Sequence, residues 1–379
     1  MALSREAVKT IEGVGLFLGM LIGAGMFALP YSFYRGGFYW SLGLFAVVFL
    51  ISLLLHYLYA GIVEATPGKH RFGGYARRYL GKKAEKIAFL FTFISFEGAL
   101  LAYGVLGGTF LNIIFGVSIL KGGIIFLAAG GLLFLLSLDF IGKVDFYLSL
   151  LLFCFVFFLD FKLIPSIEMK NIFQSGANDY FLPYGIFLFS LGAYSAIPDI
   201  KDVLGINSSR VLKKIIFWGL SCGAFFYLLF SVPILGVLGP RVSEDAFLGL
   251  GLVLGKGIVS FGAAIGLLAI FRTYLGLGED LKLTFKYDFG FPEILSWLLA
   301  FSPSFVLFSL GFSNLISILR FVGSVGLGIF AFFIILMAWK IRDEVSEFLG
   351  FGVKLWWVLP LGLLIIAGAL QDILVLILN

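Results

Sequence analysis

Leu21-Ile22-Gly23-Ala24-Gly25-Met26-Phe27-Ala28-Leu29-Pro30 lies in the first apolar segment of this chain, and Leu191-Gly192-Ala193-Tyr194-Ser195-Ala196-Ile197-Pro198 lies in another near its middle. Both place small residues halfway through the segment and a proline beyond them. Glycine lacks a Cβ and proline lacks an N–H, so both loosen a helix. In lipid an unpaired backbone group costs several kcal/mol, so a break persists only where protein or a wet cavity surrounds it. A single Gly-Ala-Gly would read most simply as tight packing. Two breaks at matching places in two halves are the sequence mark of a membrane carrier whose binding site lies between them.

Composition agrees. The 379 residues are 61% hydrophobic and 13% charged, with a mean hydropathy of +1.08, whereas a soluble domain carries about 25% charged residues. The chain is therefore read as a multi-span membrane protein, with its 48 glycines suited to close helix packing in lipid. The net charge of +5 sits in short loops between spans, which fits membrane orientation and excludes a nucleic-acid partner. Cys154 and Cys222 lie in apolar runs, and His56 and His70 are far apart, so no disulfide, metal or catalytic motif follows. No phosphate-binding Gly-x-x-x-x-Gly-Lys-Ser/Thr run is present. The sequence points to no enzyme and no cofactor. Its start resembles a signal peptide, but the apolar run is long and holds the first break, so it is read as a retained span.

Since about 20 apolar residues cross a bilayer, eleven spans are expected near 9–34, 38–63, 86–116, 121–140, 145–164, 181–203, 213–238, 256–277, 293–311, 314–338 and 355–378. Besides the 66–86 loop, 165–180 and 278–290 are read as the longest polar linkers. Placing the N-terminus and the basic 66–86 loop in the cytoplasm leaves Arg35, Lys121, Lys162, Lys170, Arg241 and Lys256 outside and Arg272 and Arg320 within spans. All other Lys and Arg then lie inside, as the positive-inside rule requires, and the C-terminus is outside. Spans 1 and 6 cross in opposite directions. The expected fold is thus an all-α membrane protein with a 5+5 inverted repeat. Repeat one covers about 9–164, repeat two about 181–338, and an extra helix about 355–378, all in one transmembrane domain over 1–379.

The breaks imply a chemistry. A half-helix that begins inside the membrane presents unpaired N–H groups and a positive dipole end, a site for a carboxylate. The amides of Gly23, Ala24, Gly25 and Met26 are the candidates. A half-helix that ends there offers carbonyls to an ammonium, and Phe189, Ser190 and Gly192, with the Ser195 hydroxyl, are placed to do so. Together they describe an α-amino acid. Tyr103 and Tyr194 are candidate pocket walls. Intramembrane charges usually face a cavity or a partner. Here they are Glu97, Arg272 and Arg320, with Glu97 expected either to pair with one arginine or to carry a proton. Asp139, Asp145, Asp160, Asp199 and Asp372 read as interfacial partners of nearby lysines, with Asp199 of added interest because it follows the second break.

The motif Leu21 to Tyr31 resembles the first span of the amino acid/auxin permease family, within the amino acid–polyamine–organocation superfamily. The likeness recurs at Thr66 to Arg71, Gly74-Tyr75-Ala76, Tyr79-Leu80-Gly81, Gly98 to Tyr103, Pro183-Tyr184-Gly185, Ser195 to Asp199, Tyr274 to Leu277 and Tyr287-Asp288. It implies the leucine-transporter fold and import or exchange of amino acids. It also implies substrate roles for Gly23, Ala24, Gly25, Gly192 and Ser195, and adds weight to Tyr103. In sodium-coupled members of that fold, the place of Arg272-Thr273 and the carbonyls matching Gly19 and Ile22 hold a sodium ion. A guanidinium there would stand in for the cation.

The sequence therefore predicts a secondary amino acid transporter of the cell membrane that works by alternating access. Proton symport or exchange is expected ahead of sodium coupling, a monomer suffices, and Arg320 is a candidate gate. The alternative is a carrier of a cationic amino acid or polyamine recognised by Glu97. A channel, a sensor and a membrane enzyme rank lower, since neither an output domain nor a nucleophile–His cluster is evident.

Overall fold

The computed structural model describes residues 5–134, 141–174, 176, 179–205 and 209–378, leaving aside the side chains of 5, 141–149, 203, 204, 252, 288 and 376–378. The first span is two helices, α1 (Arg5–Leu21) and α2 (Ala24–Gly36), bent by 64°. α3 (Phe38–Ala65) returns to the starting end, where α4 (Phe72–Leu80) buries Phe72, Tyr75 and Ala76 and exposes Arg77 and Arg78. α5 (Lys82–Phe115) crosses back and stops at Gly116, whose φ of 73 closes the helix with its N–H on Asn112 O at 2.8 Å. α6 (Ile119–Leu133), α7 (Ile141–Leu163) and the short α8 (Met169–Phe173) follow.

The second broken span is α9 (Leu182–Ser190) and α10 (Ala196–Leu204). α11 (Ser209–Leu238) leads to α12 (Phe247–Asp288), which is interrupted at Gly255. α13 (Glu293–Ser309) precedes α14 (Leu315–Phe321), which runs through a wide π turn, Val322–Leu327, into α15 (Gly328–Lys340). α16 (Arg342–Leu349) and α17 (Leu355–Leu378) complete the chain.

Among the described residues, six helices are long and apolar enough to cross a membrane, and the bent α1–α2 pair makes a seventh. The other expected spans fall on α6 and α13, which are shorter apolar helices, on α7, and on the α9–α10 pair. Large apolar side chains cover the outside, with Tyr39, Trp356 and Ile294 more than 70% exposed, as lipid contact requires. The protein is an integral membrane protein. One expectation needs correction. The 278–290 linker is helical as far as Asp288, because α12 keeps its apolar face there, with Leu281 and Phe285 buried. Residues 135–140 of the fourth expected span, including Asp139, lie outside the described residues, as does the side chain of Asp145.

The bundle has a basic end, carrying the start of α1 and the 66–71 loop, and an opposite end with the α2–α3 turn. The two broken spans meet near the middle.

Candidate functional site between the breaks

Both breaks fall where the small residues are. α1 ends at Leu21 and α2 starts at Ala24. The other gap runs from Leu191 to Ser195. Pro198 lies in the first turn of α10, where no N–H is needed, and Pro30 lies inside α2, so the prolines follow the breaks rather than make them. The two breaks touch. A Cβ on Gly25 would fall on Ser190 Oγ and within 2.9 Å of Ser190 Cα, so only glycine lets α2 approach α9 this closely. From α11, the buried Tyr227 hydroxyl lies 2.6 Å from Leu21 O and 3.0 Å from Ser190 O, the last carbonyls of α1 and α9. Ser52 of α3 donates to Leu191 O at 2.5 Å.

A cavity with about 1100 Å³ of empty space, counted out through its mouth, opens on both breaks and runs to the basic end. Gly23, Tyr103, Gly192, Ser195 and Thr273 line it, as do the aromatic rings of Tyr59, Phe72, Phe89, Phe96, Phe189, Tyr194 and Phe330. Arg71, Asp280 and Thr284 stand where it reaches the basic end. Tyr103 stands over the first break. A Cβ on Gly23 would lie 2.6 Å from its hydroxyl, which the Ala24 amide faces.

The remaining expected residues stand behind this wall, and several expectations change. The Met26 amide is taken by Gly23 O at 3.3 Å, as the first turn of α2 closes on itself. The Ser190 hydroxyl donates to Ile186 O at 2.7 Å, and its carbonyl accepts from Tyr227, so Ser190 is committed to the fold. Ala24, Gly25 and Ile22 are buried at the junction. Thr273 donates back to Ala269 O at 3.1 Å.

The buried guanidinium of Arg272 packs on α1 at Gly19, where a Cβ would fall on its terminal nitrogens, 2.9 Å from Cζ. By the resemblance drawn above, this is the place where sodium-coupled members of the fold are expected to hold their cation.

Glu97 pairs with neither arginine. It accepts the backbone N–H of Ser304 at 2.9 Å. Pro303, the residue before Ser304, has no N–H, and the Glu97 carboxylate is an acceptor for the buried amide that follows it. Arg320 is likewise corrected. Its Nε donates to Asp372 at 2.6 Å, and its NH1 to Asp179 at 3.0 Å. Asp372 is 1% exposed, so it is a buried partner of an arginine and no interfacial partner of a lysine. Asp179 also accepts the Leu182 N–H at the start of α9, so the cluster ties α9, α14 and α17 together at the opposite end. Asp199 pairs with Arg71 at 2.8 Å, and Asp280 lies 3.1 Å from the same guanidinium. Burial opposes the Arg71 charge, but the Asp280 and Asp199 carboxylates outweigh it and hold the guanidinium above its ordinary pKa. Asp160 is 7% exposed, and neither of its oxygens meets a hydrogen-bond partner among the described residues.

Known proteins share this fold. The model of the tryptophan/tyrosine permease family matches residues 6–250. The chain belongs to the tryptophan/tyrosine permease family. A curated relative, tyrosine-specific transport system 1 of Haemophilus influenzae, is 28% identical over 372 residues, covering 88% of each chain. Among solved structures, MhsT in complex with L-phenylalanine is similar with a TM-score of 0.66 at 16% identity, covering 98% of each chain. The nucleobase-cation-symport-1 transporter Mhp1, closed around bromovinylhydantoin, is similar with a TM-score of 0.65 at 13% identity, covering 97% of this permease and 90% of that chain. These likenesses show the leucine-transporter fold. The motifs that resembled the amino acid/auxin permease family and the family matched here agree on an amino acid transporter, and this permease is not an enzyme.

Sequence reasoning passed over Tyr227, Ser52 and Arg71. In this permease Tyr227 lies in a 30-residue apolar helix, where a tyrosine reads as packing. Ser52 lies one turn from His56, and a polar pair in so apolar a helix was the available signal.

Proposed function

We propose that this permease carries an aromatic amino acid across the cell membrane by alternating access around the two breaks. The observation that supports this most is the cavity itself. It opens on Gly23 and on Gly192 and Ser195, and aromatic rings wall the space between. The positive end of α2 at Gly23, with the Tyr103 hydroxyl over it, suits a carboxylate, the carbonyls of the 191–195 segment suit an ammonium, and the rings suit an aromatic side chain. The relative's name and the L-phenylalanine bound to MhsT accord with that chemistry. The Glu97 carboxylate is turned to Ser304 and away from the cavity lining, which weighs against a cationic substrate.

In this reading eleven spans form two inverted repeats, about 9–164 and 181–338, and a final helix. The basic end is cytoplasmic and the C-terminus outside. The Arg320–Asp179–Asp372 cluster is the outer gate, and the Arg71–Asp199–Asp280 cluster stands at the inner mouth. Arg272 occupies the cation place beside Gly19, so transport is proton-coupled or an exchange, without sodium.

Uptake of labelled tyrosine, tryptophan, phenylalanine and lysine into proteoliposomes, under imposed proton or sodium gradients, tests this. Saturable uptake of the aromatic amino acids, indifferent to sodium, is expected. Sodium-dependent accumulation, or lysine as the preferred substrate, would overturn it.

A further inference from the structure

His56 of α3 is fully buried. Its Nδ1 lies 2.7 Å from Ser52 O, one turn back, so Nδ1 carries the hydrogen and Nε2 presents a lone pair. Among the described residues, Nε2 has no hydrogen-bond partner. The ring stacks on Tyr194 with centroids 4.2 Å apart and planes at 23°, and it faces the Ala193 carbonyl. On its other face Tyr194 meets Phe330 at 5.3 Å. From α1, Phe17 meets the imidazole at 5.3 Å. His56 thus touches the inner half of the first broken span and the irregular segment of the second.

A buried imidazole with an unused lone pair, set among backbone acceptors, lacks one thing, a hydrogen. We propose that His56 Nε2 is the site that binds the coupled proton, and that Tyr194 covers it. This rests on the transport reading above. A proton from water in the cavity bonds to the Nε2 lone pair and gives an imidazolium with a second N–H. That N–H can be given to a carbonyl of the 191–195 segment, and the charge rests on the Tyr194 ring face. The proton leaves by the same bond when the cavity opens to the other side. Tyr194 lines the cavity and seals His56, so the proton reaches the ring only when the second break moves. Proton access and substrate access are then one event.

The elements in contact with the ring bring it one titratable group, the Tyr194 phenol. Other charged groups on those elements point elsewhere: on α1 Glu6 pairs with Lys214, Lys9 reaches Gly205 O and Glu12 is exposed, Glu64 of α3 and Lys201 of α10 lie 3.9 Å apart toward the basic end, and on α10 Asp199 pairs with Arg71 and Asp202 faces Lys69.

The chain has two histidines, so His70→Gln leaves His56 as its single imidazole. With 15N-labelled histidine, that variant in lipid is titrated from about pH 5.5 to 8, around the ordinary imidazole value of about 6.5, with and without tyrosine. Protonation of the ring that depends on tyrosine is expected. A ring that stays neutral throughout would overturn the proposal. In proteoliposomes, His56→Gln is expected to keep tyrosine counterflow and to lose accumulation driven by a pH gradient. Accumulation equal to wild type would also overturn it. If wild-type protein shows no tyrosine counterflow, the transport reading itself fails and the proton site fails with it. Counterflow with a permanently neutral ring removes the proton site alone.

Discussion

At Gly19 a guanidinium lies where the fold, by its resemblance to sodium-coupled carriers, would place a metal cation, and the difference is testable at one residue. Arg272→Ser removes a fixed charge from beside the end of α1 and leaves carbonyls there without it. We expect tyrosine uptake to fall, and sodium chloride, compared with choline chloride, to raise the melting temperature of the variant but not of the wild type. Sodium stabilisation of the wild type would sink the idea that Arg272 fills the cation's place. Glu97 is tested by two substitutions. Glu97→Gln keeps an oxygen for the Ser304 amide and is expected to preserve fold and transport. Glu97→Leu takes that acceptor away from a buried amide and is expected to cost about 1–3 kcal/mol, read as a lower melting temperature. Loss of pH-driven uptake in Glu97→Gln would return the carboxyl to a coupling role.

At the scale of elements, each half of the mechanism is held by a few side chains from helices that do not break. Arg320 ties α14 to α17 and to the start of α9. Asp372→Asn removes the charge from the side of that cluster that is 1% exposed, and breaking a buried pair costs about 3–5 kcal/mol. Asp179, at 31% exposure, should cost less on the same substitution, and thermal melting in detergent gives the order. The elements themselves were legible in the sequence, because apolar length and small-residue interruptions are local signals. Both breaks lie where Gly23 and Leu191-Gly192 put them. The partners were not legible. Asp179 is 141 positions from Arg320, and Ser304 is 207 from Glu97. Such choices are made by helix packing. A lone acid among two bases suggests pairs without showing that the Ser304 amide, beside Pro303, is the donor instead.

For the whole molecule, the cavity reaches Arg71 at the basic end, while the Arg320 cluster is closed at the other. Access should therefore be one-sided in this conformation. With Cys154 and Cys222 replaced by alanine, Ser195→Cys is expected to react with a membrane-impermeant thiol reagent from the side of the basic loops, and tyrosine should protect it. Labelling from the opposite side alone would contradict the arrangement. How the breaks respond when that access reverses depends on Tyr227. A phenol owns a single hydrogen, so Leu21 and Ser190 must share it. When one of them draws away, the other inherits the larger portion, and the first increment of separation forfeits less than a whole bond. The joint between the two mobile spans is thereby compliant at the start of its travel and stiffens only once one oxygen has been abandoned.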